Sequence, residues 1–311
     1  MTSAPRPWQL ELARIDGALP LLSGPEATLL ARRSLRRLWA HHVHAYPFDN
    51  LGPDHDPGRE ASELVRSHHA AERDAFLSWI ARRAAPLLAA AAATVLSAKG
   101  APETFARVYA IADIVLDRLD TLLPSEDPIA TLVDLIAQLT EQETAFLEGS
   151  SETYITAGRA FSRPPPRGGA WAVSLGVSLR PQLFSLGAAP LALAGLVPRE
   201  AFQGLRERAI PAILAEALLT GAAAVRTDII GARAAMDLGK ARLAKANRSS
   251  RMRDTWLLLA GLGPLTRAEI ARSLGVTKRT ASQAADGLAA VGLVAPVGRH
   301  EGLRVIISPG R

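Results

Sequence analysis

The 311-residue chain contains no cysteine, which excludes disulfides, thiolate zinc sites and thiol nucleophiles and fits a reducing compartment. Aromatic residues make up only 5% of it, so Trp8, Trp39, Trp79, Trp171 and Trp256 are each expected to anchor a core or an interface. No apolar run reaches membrane-span length; the alanine-rich stretch from Ala84 to Ala93 is too short, and Met1 to Trp8 lacks the apolar core of a signal peptide. A soluble cytoplasmic protein without a membrane partner is the resulting expectation. Enzymatic signatures are also missing. Gly231 to Lys240 has no phosphate-loop spacing, and no GXSXG or dinucleotide fingerprint occurs. We therefore expect neither an enzyme nor a cofactor.

What is present is an uneven charge. From Lys240 to Arg311 there are 13 Lys/Arg against 4 Asp/Glu, a net of +9, while the first 239 residues hold 23 basic and 26 acidic side chains, a net of −3. A surface that displaces counterions from phosphates therefore belongs to the last quarter of the chain. A solvated basic tail would show the same charge, so charge alone does not decide.

Alanine and leucine dominate and Gly and Pro punctuate, which makes the fold class mainly α. Helices are expected at Trp8 to Ala18, at Pro25 to His44 with a leucine stripe at 29, 30, 35 and 38, and over Glu60 to Ala98, broken or kinked at Pro86. Two more follow. Pro102 to Leu123 carries Phe105, Val108, Ile111, Ala112, Val115 and Leu119 on one face, and Pro128 to Leu147 carries Ile129, Leu132, Val133, Ile136 and Leu139. The helical region 1–147 then gives way to a Ser, Gly and Pro-rich linker or loop, 148–169, with Pro164, Pro165 and Pro166 in succession. Residues 170–248 form a second helical region, continuous with the first or separate. In it, Ala170 to Arg180 alternates as a strand would (Trp171, Val173, Leu175, Val177, Leu179), and a helix fits the same stretch nearly as well. Arg199 to Leu219, kinked at Pro211, and Ala222 to Ala246 read as two further helices.

The informative stretch runs from Leu265 to Val294. Thr266 followed by Glu269 is a capping box that starts a helix; Ile270, Ala271 and Leu274 give it an inward face, and Gly275 allows the positive φ that ends it. Val276 plugs the angle before the next helix. Thr277 caps that second helix, whose buried stripe is Ala281, Ala284 and Leu288, and Gly292 stops it. Lys278, Arg279, Thr280, Ser282 and Gln283 are then left on the exposed N-terminal half, together with the cap Thr277. Arg pairs with guanine, Gln with adenine, and Ser or Thr with base or phosphate. Ser249, Arg251 and Arg253, before a preceding helix (Asp254 to Gly261), suit phosphate contacts. Two short apolar stretches, Leu293 to Val297 and Leu303 to Ile307, flank Gly298-Arg299-His300-Glu301-Gly302 and read as a β-hairpin that offers Arg299, His300 and Arg304 to the DNA backbone or minor groove.

Met252 to Pro309 resembles the winged helix-turn-helix of bacterial regulators of the MarR class. The LTRAEIARSLGVTKRTASQAADGL core, the following GLV and the glycine-flanked hairpin carry the likeness. The resemblance covers under a fifth of the chain and implies DNA binding by residues 249–311. MarR proteins enclose this unit between dimerisation helices, whereas here about 250 residues precede it, so dimer and effector details do not transfer. In architecture the chain also resembles plasmid-borne helix-turn-helix proteins. The expected function is transcriptional regulation on double-stranded DNA, with a homodimer on a two-fold site and the N-terminal helices serving dimerisation, a protein partner or an effector.

Two alternatives stay open. One is a plasmid maintenance or adaptor protein that uses the winged helix for non-regulatory DNA or protein contact. The other is a metal-dependent enzyme built on His41, His42, His44, His55, His68 and His69 with Asp49, Asp54 and Asp56. These could bind a divalent ion but show no recognised ligand spacing, so no metal is expected there. Asp113, Asp117 and Asp120 fall at helical spacing and read as a solvated face.

Overall fold

The structure, a computed structural model, describes residues 5–44, 70–96, 109–142, 146, 152–156, 159–163, 168–187, 191–193, 197–202, 209–246, 250–297 and 302–305. It is mainly helical. The first helix, α1 (Pro7–Ala18), leads to α2 (Gly24–His44), which starts where the Ser23 amide and hydroxyl both donate to Glu26 Oε2, at 2.7 and 2.6 Å. The leucine stripe of α2 is buried as expected, and Trp39 completes it. Helices α3 (Ala70–Arg83) and α4 (Pro86–Val95) meet at the expected break, with Pro86 in the first turn of α4, where a missing N–H leaves no carbonyl unpaired.

Helices α5 (Ala110–Leu122) and α6 (Pro128–Gln142) bury Ala112, Val115, Leu119, Ile129, Leu132, Ile136 and Leu139. Ile111 and Val133 are half-buried beside them, and Phe105 and Val108 lie outside the described residues. All five tryptophans are buried. Asp117 and Asp120 of α5 are exposed, as expected of a solvated face, while Asp113 is half-buried, and these acids also meet partners from other elements. Asp113 accepts from Trp79 Nε1 at 2.9 Å and Arg83 Nε at 2.8 Å, and Asp120 takes both Nε and Nη2 of Arg180, at 2.6 and 2.9 Å. Periodicity places residues on a face and says nothing of which cation another element brings to it.

Three expectations need correction. Within residues 148–169, expected as a linker or loop, β1 (Glu152–Thr156) pairs antiparallel with β2 (Arg159–Arg163), a hairpin hidden by the Ser, Gly and Arg content around it. The stretch that alternates like a strand is helix α7 (Gly169–Ser178), and all ten of its residues are buried. A helix enclosed on every side needs no polar face, so it lacks the 3.6-residue signature. It approaches α5 closely enough that a Cβ on Gly176 would stand 2.7 Å from Val115 Cγ1. Finally, the two helices expected over 199–246 are one, α8 (Ile210–Arg242), of 33 residues. Pro211 sits in its first turn instead of kinking its middle, and the Thr220-Gly221 step continues because Gly221 is buried against its surroundings.

The remaining elements are α9 (Met252–Leu262), β3 (Leu265–Thr266), α10 (Arg267–Leu274), α11 (Lys278–Ala290), β4 (Val294–Val297) and β5 (Gly302–Val305). The sheet order is β3-β5-β4, antiparallel throughout. Helix α2 is the hub of the molecule, packing against α4, α7, α8 and α9, and α10 touches α4. The buried apolar residues from Trp8 to Val294 make one continuous cluster. Among the described residues, no helix is long and apolar enough to cross a membrane.

Candidate nucleic-acid interface

The C-terminal elements follow the local chemistry of the sequence closely. The capping box is formed: the Glu269 amide donates to Thr266 Oγ1 at 3.2 Å, and the Thr266 amide and hydroxyl return bonds to Glu269 Oε2 at 2.6 and 2.7 Å. Gly275 closes α10 at φ 61°, with the Val276 amide reaching back to the Ala271 carbonyl at 2.9 Å. Thr277 caps α11 by accepting from the Thr280 amide at 3.2 Å. Ala281, Ala285 and Leu288 are fully buried and Ala284 nearly so, and Gly292 ends the segment at φ 72°. Ile270 and Ala271 are buried under α11, while Leu274 and Val276 are half-buried at the turn.

This packing decides which side chains remain available. Thr277, Lys278, Arg279 and Gln283 are exposed, and Ser282 is half-buried beside them. Thr280 is half-buried, and its hydroxyl shares a 2.9 Å hydrogen bond with that of Thr277, so the two threonines form the helix cap together. Arg267, not singled out in the sequence, bonds Asp286 at 2.7 Å and ties α10 to the exposed side of α11. An arginine in the first turn of one helix and an acid in the next gave no reason to expect that pairing.

The other basic candidates lie further along. Met252 meets α11 at Gly287, where a Cβ would be 2.8 Å from its sulfur, so the start of α9 is level with a point about 12 Å beyond Arg279, at about 1.5 Å per residue. Arg251 pairs with Asp254 at 2.9 Å. Such exposed pairs contribute only about 0–1 kcal/mol and do not hold a guanidinium against a phosphate. Arg253, although exposed, lines a cavity of about 320 Å³ with Lys240, Leu243 and Trp256, on the side that meets α8. It does not join Lys278, Arg279 and Gln283. Arg304 lies on β5, and Ser249, Arg299 and His300 lie outside the described residues.

Of the histidine group, His41 and His42 are described on α2, whereas the His44 side chain, His55, His68 and His69 lie outside the described residues, as do Asp49, Asp54 and Asp56. His42 is buried in an aromatic nest: its ring stacks on Trp39 at 5.4 Å between centroids, and its Nδ1 accepts from Trp171 Nε1 at 3.2 Å. With Nδ1 accepting, any ring proton of a neutral His42 sits on Nε2. Among the described residues no three His, Asp or Glu side chains come together as metal ligands.

No protein-family model matches the chain, and no curated protein matches it either.

Proposed function

We propose that this chain is a DNA-binding transcriptional regulator that reads duplex DNA through a C-terminal winged helix-turn-helix formed by α9, α10, α11 and the β4–β5 hairpin. The observation that carries the reading is the division of α11 into two faces. Its alanine and leucine face is spent on the core, and Lys278, Arg279 and Gln283 stand exposed together at the N-terminal end. In helix-turn-helix proteins that end enters the major groove, where Arg and Gln can make bidentate contacts to guanine and adenine. The hairpin acts as the wing, with Arg299, His300 and Arg304 meeting the backbone, and the net +9 of residues 240–311 supplies the sequence-independent attraction. A protein-contact role for the same unit would leave this charge without a purpose.

The protein acts as a homodimer on two-fold sites in the cytoplasm, and its N-terminal helices sense an effector or a partner. Because α9 and α10 are packed on α2, α8 and α4, a change in those helices reaches the reading head through direct contact.

Selection of random duplexes by the full-length protein across a salt series tests the reading. Enrichment of a palindromic motif is the expected result. Salt-sensitive binding without enrichment would replace sequence reading by an architectural role, and no binding at any salt would overturn the proposal.

A further inference from the structure

Arg32, Arg33, Arg36 and Arg37 stand on two successive turns of α2, where it faces α8 and the C-terminal elements. Arg37 is answered by contact. Its Nε and Nη2 approach Asp228 Oδ2 of α8 at 2.9 and 2.8 Å, and Nη2 also donates to the Ala224 carbonyl at 3.2 Å. Arg33 is not. It is 8% exposed, its Nε has no hydrogen-bond partner among the described residues, and its guanidinium lies across Gly231, where a Cβ would stand 2.2 Å from Nη1. Arg36 is half-buried and forms no ion pair among the described residues.

Arg33, Arg36, Arg37, Ala40, Asp228 and Pro264 line an open cavity of about 330 Å³. Three guanidiniums share one carboxylate there, a local net charge of +2. Burial pulls the pKa of Arg33 and Arg36 down from its ordinary value, yet guanidinium starts so high that both stay cationic near neutral pH. Withdrawing like charges from water without counter-charge is unfavourable, and an anion in the cavity removes the imbalance.

We infer that this cavity binds a small phosphate monoester, its dianionic head pairing with the guanidiniums of Arg33 and Arg36 while Arg37 stays on Asp228. A dianion matches the net +2, and the three terminal oxygens of a phosphate monoester can accept from both guanidinium forks, where a single carboxylate offers two oxygens and one charge. An adjoining cavity of about 490 Å³ shares Arg37 and Ala40 and continues past His41 and Pro198 to Ala217, giving room for the organic part of the ester. Duplex DNA does not fit the same role, because its backbone cannot follow Arg33 into a recess. Pro264 joins α9 to β3, so an occupant touches the C-terminal unit directly. That it would act as an effector of DNA binding rests on the function proposed above; the binding site itself does not.

Calorimetric titration of the full-length protein with glycerol phosphate and with inorganic phosphate, at constant ionic strength, tests the site, with acetate as the monoanionic control. Saturable binding of one phosphate species per chain is expected, weakened at least tenfold in Arg36→Gln. It should tighten in Asp228→Asn, which removes the competing carboxylate, and stay unchanged in Arg279→Gln. If Arg36→Gln does not fold, Arg36→Lys, which keeps the charge but loses the fork, should still bind measurably more weakly. No saturable binding, equal binding of acetate, wild-type binding by both the Arg36 and Asp228 variants, or stoichiometric displacement of phosphate by duplex DNA would each overturn the inference. Failure to bind DNA would leave a positive phosphate result standing, and failure to bind phosphate would leave the DNA reading standing.

Discussion

Trp256 of α9 lies across Gly239 of α8: its indole Nε1 donates to the Ala235 carbonyl at 3.0 Å, and a Cβ on Gly239 would stand 2.5 Å from that same nitrogen. The neighbour is a buried ring, 2% exposed, and has no flexible end to swing aside. Gly239→Ala must therefore displace α9 from α8. We expect a loss of about 1–3 kcal/mol, the usual cost of overpacking a core, read as a lower midpoint in urea unfolding. Unchanged stability would mean that α9 shifts without cost.

The cap at Thr277 holds the first turn of α11 through the Thr280 amide. Thr277→Ala should lower stability by about 1 kcal/mol, as loss of an N-cap does. It should also weaken DNA binding by fraying the turn that carries Lys278 and Arg279. Thr277→Ser, which keeps the acceptor oxygen, should restore most of both, and failure of serine to do so would assign the effect to the methyl group.

Arg279 and Gln283 are one turn apart on the exposed side of α11. If they read base edges, Arg279→Ala and Gln283→Ala should each reduce discrimination between the selected site and a point-mutated site by about 1–3 kcal/mol. Competition binding at fixed salt measures this. An equal loss on every sequence would put the side chains on phosphates, with a correspondingly shallower salt dependence.

The bidentate pair of Arg180 with Asp120 ties α5 to the segment following α7. The hydrogen bonds from Arg180 hold the Asp120 carboxyl below its ordinary pKa. A depressed folded-state pKa gives a stabilisation that is complete above the unfolded value, about 3.9 for aspartate, and is lost as pH falls through the folded value. Asp120 is half exposed, so solvent screening limits the pair to about 0.5 kcal/mol. Asp120→Asn should therefore be slightly less stable than the wild type at pH 7, with the difference vanishing in acid. A difference that persists below the folded pKa would assign the effect to packing.

The C-terminal elements were legible because their signals are local. Thr266 and Glu269 close a capping box with each other, Gly275 adopts positive φ within its own turn, and Ala281, Ala284 and Leu288 share a face by helical period alone. Each of these needs only neighbours a few residues away in sequence. Composition likewise sufficed for the mainly helical class and for the burial of all five tryptophans, since aromatic side chains this scarce and this large go to the core.

Tertiary structure decided the rest. Trp171 to Val177 alternates like a strand and forms a helix, because α7 is enclosed by its neighbours and has no polar face to reveal its period. Pro211 opens α8 instead of kinking it, because the helix begins at Ile210 and not at Arg199. Asp113 and Asp120 are held by Arg83 and Arg180, and the arginines of α2 gather around the single carboxylate of Asp228. Composition and period report what a residue prefers and which face it occupies; which charges meet across nearly 200 residues of chain, as Arg37 and Asp228 do, is set only when the helices pack.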